Sequence, residues 1–230
     1  MHHRLAVAAA LAVTAPAVLA PAPAAAQGAM VPAPAPAPGS APGSGPPAKR
    51  PPALATPALA GQAVAVLPLT LAGTDPALAG DSTLRALGGR RAGLAWADSI
   101  IGAALEARAP EVSWTLPARL RQLARRNPGM VPDPDRMGQA VLRSPKLKRV
   151  PEPLASALRN LTAVTGGRYA MVPAALGLAR DATGGVRADL ALALADARSG
   201  QVVWRALSSA TAASPAEAVS AAVANVLPGP

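Results

Sequence analysis

The chain has 230 residues, 22 Lys+Arg against 12 Asp+Glu, a formal net charge of +10, two histidines and no cysteine. The missing thiol excludes disulfides, thiolate zinc sites and a lipid-modified N-terminal cysteine. Both histidines, His2 and His3, fall in a segment read below as removed, so His-dependent catalysis and His metal ligation are excluded as well.

Met1 to Ala26 reads as a secretory signal peptide. Arg4 makes its start basic, Leu5 to Ala20 is apolar, and Ala24-Ala25-Ala26 offers a small-residue cleavage site. Pro16 interrupts the apolar run, which is short for a membrane span. No later run is long and apolar enough to cross a bilayer, because charges or prolines break each one. Cleavage leaves 21 basic residues against 12 acids, or +9. Residues 27–60 form a low-complexity Pro/Ala/Gly-rich leader that cannot bury a core and is expected to be disordered. The folded domain is expected over 61–228. About 165 residues are ample for one core, burying roughly 70% of the unfolded chain's surface.

Gln62 to Leu69 is a short strand, apolar on both faces. Residues 71–89 are rich in Gly and Asp and read as a loop. Arg91 to Arg108 carries Leu94, Ala97, Ile101, Ala104 and Leu105 at helical spacing, and Pro110 stops it. Glu111 to Leu116 is a second short strand. Pro117 to Arg126 is a helix with proline in its first turn and Leu120 and Leu123 inward. Asp133 is placed as N-cap of a helix running to about Arg143. Residues 144–151 make a basic loop. Glu152 to Thr165 is helical, with Gly166 at its end. Arg168 to Leu178 is a third strand, with Pro173 at an edge or bulge.

Val186 to Leu207 organises the rest. Leu190, Leu192 and Leu194 alternate with Ala191, Ala193 and Ala195, which is the period of a strand. Asp196 to Gly200 turns the chain, and Val202, Val203 and Trp204 start the return strand. Both faces are apolar, so both are expected to be covered, with Trp204 in the core of a central strand. Ser214-Pro215-Ala216-Glu217 is a capping box that opens a last helix to about Leu227. This order predicts a single α/β (α+β) domain: a mixed sheet of about five strands flanked by helices.

Three pieces of this order resemble the superfamily that holds the N-terminal domain of TolB, the curli-secretion protein CsgG and the outer-membrane activators of penicillin-binding proteins. They are the strand "VAVLPL" at Val64 to Leu69, "GGRYAMVPAALGLARD" at Gly166 to Asp181, and the strand-turn-strand "ALADARSGQVVWRA" at Ala193 to Ala206. The similarity runs from about Gly61 to Leu227. It implies a binding or assembly module without catalytic residues. Family lipoproteins carry an acylated cysteine, which is missing here, and no segment is spare for the membrane hairpins of a secretion pore.

No motif for catalysis stands out. Asp133 and Asp135 sit where a helix N-terminus favours negative charge and read as capping residues. Asp75 and Asp81 lack the further oxygen ligands of a cation site. Ser144 and Lys146 match no serine–lysine spacing, and Gly88-Gly89-Arg90-Arg91 lacks the spacing of a phosphate loop. No cofactor is called for. Basic residues are concentrated instead: thirteen of the 22 lie between Arg85 and Arg149, against five of the 12 acids. Arg119, Arg121, Arg125, Arg126, Lys146, Lys148 and Arg149 fall on one helix and one loop. They are the candidate patch for an envelope protein or an anionic envelope polymer, the ordinary alternative being a solvated face. Nucleic acid is not expected, since Trp96, Trp114, Trp204 and Tyr169 form no stacking motif. The sequence thus predicts an exported, non-catalytic module of the periplasm or outer-membrane periphery. The alternatives are a carboxylate-based hydrolase of cell-wall glycans and an accessory subunit of an envelope export apparatus.

Overall fold

Six strands make one mixed sheet, built on the Leu/Ala alternation of its long central strand. A computed structural model describes residues 51–227. The segment expected to be a signal peptide and most of the expected leader lie outside the described residues. The strands are β1 (Ala63–Val66), β2 (Ala72–Thr74), β3 (Ser113–Thr115), β4 (Tyr169–Arg180), β5 (Val186–Asp196) and β6 (Gln201–Ala212). The helices are α1 (Ser82–Ala86), α2 (Arg90–Arg108), α3 (Pro117–Arg126), α4 (Leu154–Thr165) and α5 (Pro215–Ala224). The sheet order is β3-β1-β4-β5-β6, with β2 on β4 beyond the end of β1. Parallel pairing joins β1 to β3 and β4, and antiparallel pairing joins β4, β5 and β6.

The alternation sorts side chains into two cores. Val64, Val66, Met171, Leu190, Leu192 and Leu194 pack on one face beneath α2 and α5. Ala65, Leu67, Ala170, Val172, Ala193 and Ala195 pack on the other against α3, α4 and the 142–150 segment. Small residues on the second face allow close approach of the covering layer.

Local signals hold where a single residue dictates geometry. Ser214 and Glu217 form a reciprocal capping box at α5. Gly166 closes α4 in the left-handed region, and Gly200 turns the β5–β6 hairpin at φ 69°. Pro173 sits at a register shift in β4. Asp133 accepts the Asp135 N–H, capping a turn as expected.

Several expectations are corrected. The predicted helix from Asp133 to Arg143 is two 3-10 turns, Pro134–Arg136 and Gln139–Arg143, because Gly138 between them adopts φ 75°. The predicted loop 71–89 contains β2 and α1, with α1 capped by Asp81. The sheet therefore has six strands rather than five. Residues 51–60, expected in the disordered leader, pack on the domain. Leu54 and Leu59 are buried in the α2/α5 core, and the Leu54 N–H donates to Val226 O at 2.7 Å. Trp204 lies on the edge strand and is half-buried, its Nε1–H donating to Pro52 O at 3.2 Å. No described helix is long and apolar enough to cross a membrane.

Candidate functional site

The sheet interrupts itself beside β1. Pro68 has no N–H, and Pro173 on β4 has none either, so the β1–β4 ladder cannot continue through this point. Val66 pairs with Met171 and Ala72 with Leu176, six residues on one side against five on the other. The extra residue frees the backbone at Pro68 and Leu69, and side chains from other elements satisfy it. Asp98 of α2 accepts the Leu69 N–H at 2.7 Å. Gln139 donates its amide to Pro68 O at 2.9 Å and to Pro134 O at 2.8 Å.

Arg121 of α3 completes this junction. Its Nη2 lies 2.7 Å from Asp98 Oδ2 and 2.7 Å from Asp135 Oδ1, and its Nε donates to Asp135 Oδ2 at 2.9 Å. Burial raises the proton affinity of Asp98, opposed by the Leu69 amide and Arg121. Arg121 itself is held protonated, chiefly by Asp135. The network joins α2, α3, the β1 exit and a 3-10 turn, with partners 14 to 29 residues apart in sequence.

This junction floors a crevice of about 710 Å3 lined by Leu69, Thr70, Arg90, Arg91, Arg121, Asp133, Asp135 and Arg136, among others. It opens past the end of β1, with β3 on one side of that strand and β4 on the other. In open α/β sheets such a switch point is the usual ligand crevice. The two carboxylates that come together, Asp98 and Asp135, hold the Arg121 guanidinium between them. Arg90 donates to Thr70 O at 2.8 Å, while Arg91 and Arg136 are exposed at the rim. Among the described residues, no group of three or more His, Cys, Asp or Glu converges to hold a metal ion.

The seven-residue basic patch resolves into two groups. Arg119, Arg121, Arg125 and Arg126 lie on α3, which packs over β1. Lys146, Lys148 and Arg149 lie on a loop tied to β6: Val202 N–H donates to Lys148 O and Val150 N–H to Gly200 O. Three strand steps, about 14 Å of sheet, separate β1 from β6. Arg121 is spent on its two carboxylates, and Arg119 donates to Gln122. Arg125, Arg126, Lys146 and Lys148 are exposed. Arg149 donates to Ser199 O at 3.0 Å. Sequence reasoning missed Arg205, whose guanidinium donates to the carbonyls of Leu142, Pro145 and Leu147 and fastens the basic loop over β6. Burial lowers its proton affinity. Its one local signal is an arginine inside an apolar strand.

Neither a family model nor a curated protein matches the sequence. Solved structures do. The PelC dodecamer from Paraburkholderia phytofirmans is 18% identical, covering 76% of this chain and 90% of that one, at a TM-score of 0.33. The C-terminal domain of LpoB from Salmonella enterica is 12% identical, covering 66% and 84%, at 0.33. LpoB of E. coli is 13% identical, covering 87% and 91%, at 0.35. At these identities and scores the likeness carries no activity or partner to this chain.

Proposed function

We propose that this chain is an exported, non-catalytic binding or assembly module of the cell envelope, docking a protein or an anionic envelope polymer through its exposed arginines and lysines. The supporting observation is how its charges are used. Ten of the twelve carboxylates are committed to caps, turns or pairs; only Glu106 and Glu111 are not. Arg91, Arg125, Arg126, Arg136, Lys146 and Lys148 are exposed and enter none of the ion pairs among the described residues. A surface with spent acids and uncommitted bases suits an anionic partner. A glycan hydrolase would need a free acid and a free base facing a cleft. The converging pair, Asp98 and Asp135, is bridged by Arg121, which favours docking over hydrolysis.

The test is capture of envelope components by the full chain, with crosslinking and mass spectrometry to identify what is bound. The proposal expects an acidic protein or polymer that is released when Arg125, Arg126, Lys146 and Lys148 are all changed to Glu. Equal capture by the reversed variant would overturn it.

A further inference from the structure

β6 is the long free edge of the sheet, with β5 as its single strand neighbour. Natural edges are blunted by proline, bulges, inward charges or a cover. From Trp204 to Ala212 the sequence WRALSSATA has no proline, and the β5–β6 register slips only at its start, between Leu194 and Ala195. Its one charge, Arg205, is turned onto loop carbonyls. Among the described residues, the edge is covered at its beginning and touched once more at Ser209, whose carbonyl accepts from Asn225 Nδ2 at 3.0 Å. At the beginning Arg149 bridges Gln201 in the antiparallel sense, and Lys148 and Val150 bond Val202 and Gly200. The outer edge of β6 thus already accepts a strand-like segment, which ends before the free stretch begins.

The free stretch borders a groove of about 770 Å3 whose apolar walls include Val141, Pro145, Ala191 and Leu207, with Arg143 and Asp189 as its charged lining, Asp189 being paired with Arg187 and bonded by the Ser209 hydroxyl. Leu207 is 68% exposed and Val203 50%, large values for apolar residues of a strand. Lys146 adjoins Pro145 on the same loop. The opposite face of β6 is occupied: Trp204 meets Pro52, and Ser208 donates to Ala222 O of α5.

From this arrangement we infer that residues 204–212 of β6 form a docking edge for an extended segment of another protein, one that adds as a seventh strand and carries acidic and apolar side chains toward the groove. Main-chain bonds supply affinity, as in strand addition generally, and the groove supplies selection. Arg143 in the lining and Lys146 next to Pro145 select acids, since the groove's own acid, Asp189, is already paired with Arg187. The two bases also disfavour a second copy of this chain, whose own edge carries the same positive charge. This deepens the docking reading above and rests on it.

The test uses the full chain and a capped nine-residue peptide, with Thr at even positions and Val or Glu at odd ones. A second peptide replaces each Glu with Lys. The Glu peptide should slow amide exchange within residues 204–212. Leu207→Glu, at an exposed position that leaves the fold intact, should weaken its binding about tenfold. The double variant Arg143→Glu, Lys146→Glu should reverse the preference toward the Lys peptide. Absence of protection in 204–212, equal affinity for the two peptides, or protection by self-association without peptide would each overturn the inference. If the peptide fails while charge-dependent envelope capture persists, strand addition alone is wrong. If the peptide docks while capture ignores charge reversal, the envelope reading falls and the edge stands.

Discussion

Arg121 holds two carboxylates from separate segments, and one of them, Asp98, is buried. Removing it leaves Asp98 with the Leu69 amide as its remaining partner. Arg121→Met is expected to cost about 3 kcal/mol, the scale for stranding a buried charge, with Asp98→Asn recovering part of the loss in the double variant. Urea denaturation of the single and double variants measures both. Asp196 behaves differently. The Arg168 guanidinium holds its carboxyl at about 2, well below its ordinary value, with the Ser199 and Arg198 amides adding to the effect against burial. The folded state therefore binds fewer protons than the unfolded one between the two values. Its contribution is complete above the ordinary carboxylate range and is lost as pH falls toward 2. Asp196→Asn should flatten stability against pH in that window, which denaturant titrations at several pH values would reveal. Asp98, raised by burial, acts in the opposite sense and loses stability as pH rises through its range. None of these pairings was legible in the sequence, since Asp98 and Arg121 lie 23 residues apart and Asp196 and Arg168 lie 28 apart.

The elements that were legible are those a local residue fixes. The β5–β6 hairpin, the α5 capping box and the end of α4 each rest on one turn or cap. Ser214→Ala should therefore cost about 1 kcal/mol, read from the thermal midpoint. Gly167 is a stricter case. A Cβ there would meet the Ala63 backbone carbonyl where α4 delivers the chain into β4 beside β1. Gly167→Ala should reduce stability by more than the capping variant, and the thermal midpoints of the two variants decide the order. What was not legible is short or long-range. β2 is three residues with a glycine at its centre, too brief for any period. Its existence depends on β4 being long enough to pair with two strands in series. Leu54 and Leu59 are isolated apolar residues in a proline-rich stretch, and only the α2/α5 core gives them a place to bury. The two 3-10 turns replace a predicted helix because Gly138 enters the left-handed region and because Gln139 is drawn to the Pro68 carbonyl. The candidate basic patch was legible as composition but not as shape. A run of arginines says nothing of which one an interior carboxylate will claim.

At the scale of the molecule, a two-sided sheet buries its Leu and Ala faces and directs uncommitted positive charge outward. Ten of the twelve acids hold segments together, while Arg91, Arg125, Arg126, Arg136, Lys146 and Lys148 stay exposed and outside the ion pairs among the described residues. The account's central claim is that this surplus does the work of docking. Retention of the full chain on washed envelope fractions, followed as ionic strength rises through about 0.01 to 0.15 M, tests it most directly, because screening tightens over that range. The account predicts retention that falls steeply with salt and is abolished at low salt by Arg125→Glu, Arg126→Glu, Lys146→Glu and Lys148→Glu together. Retention that ignores both salt and charge reversal would contradict it.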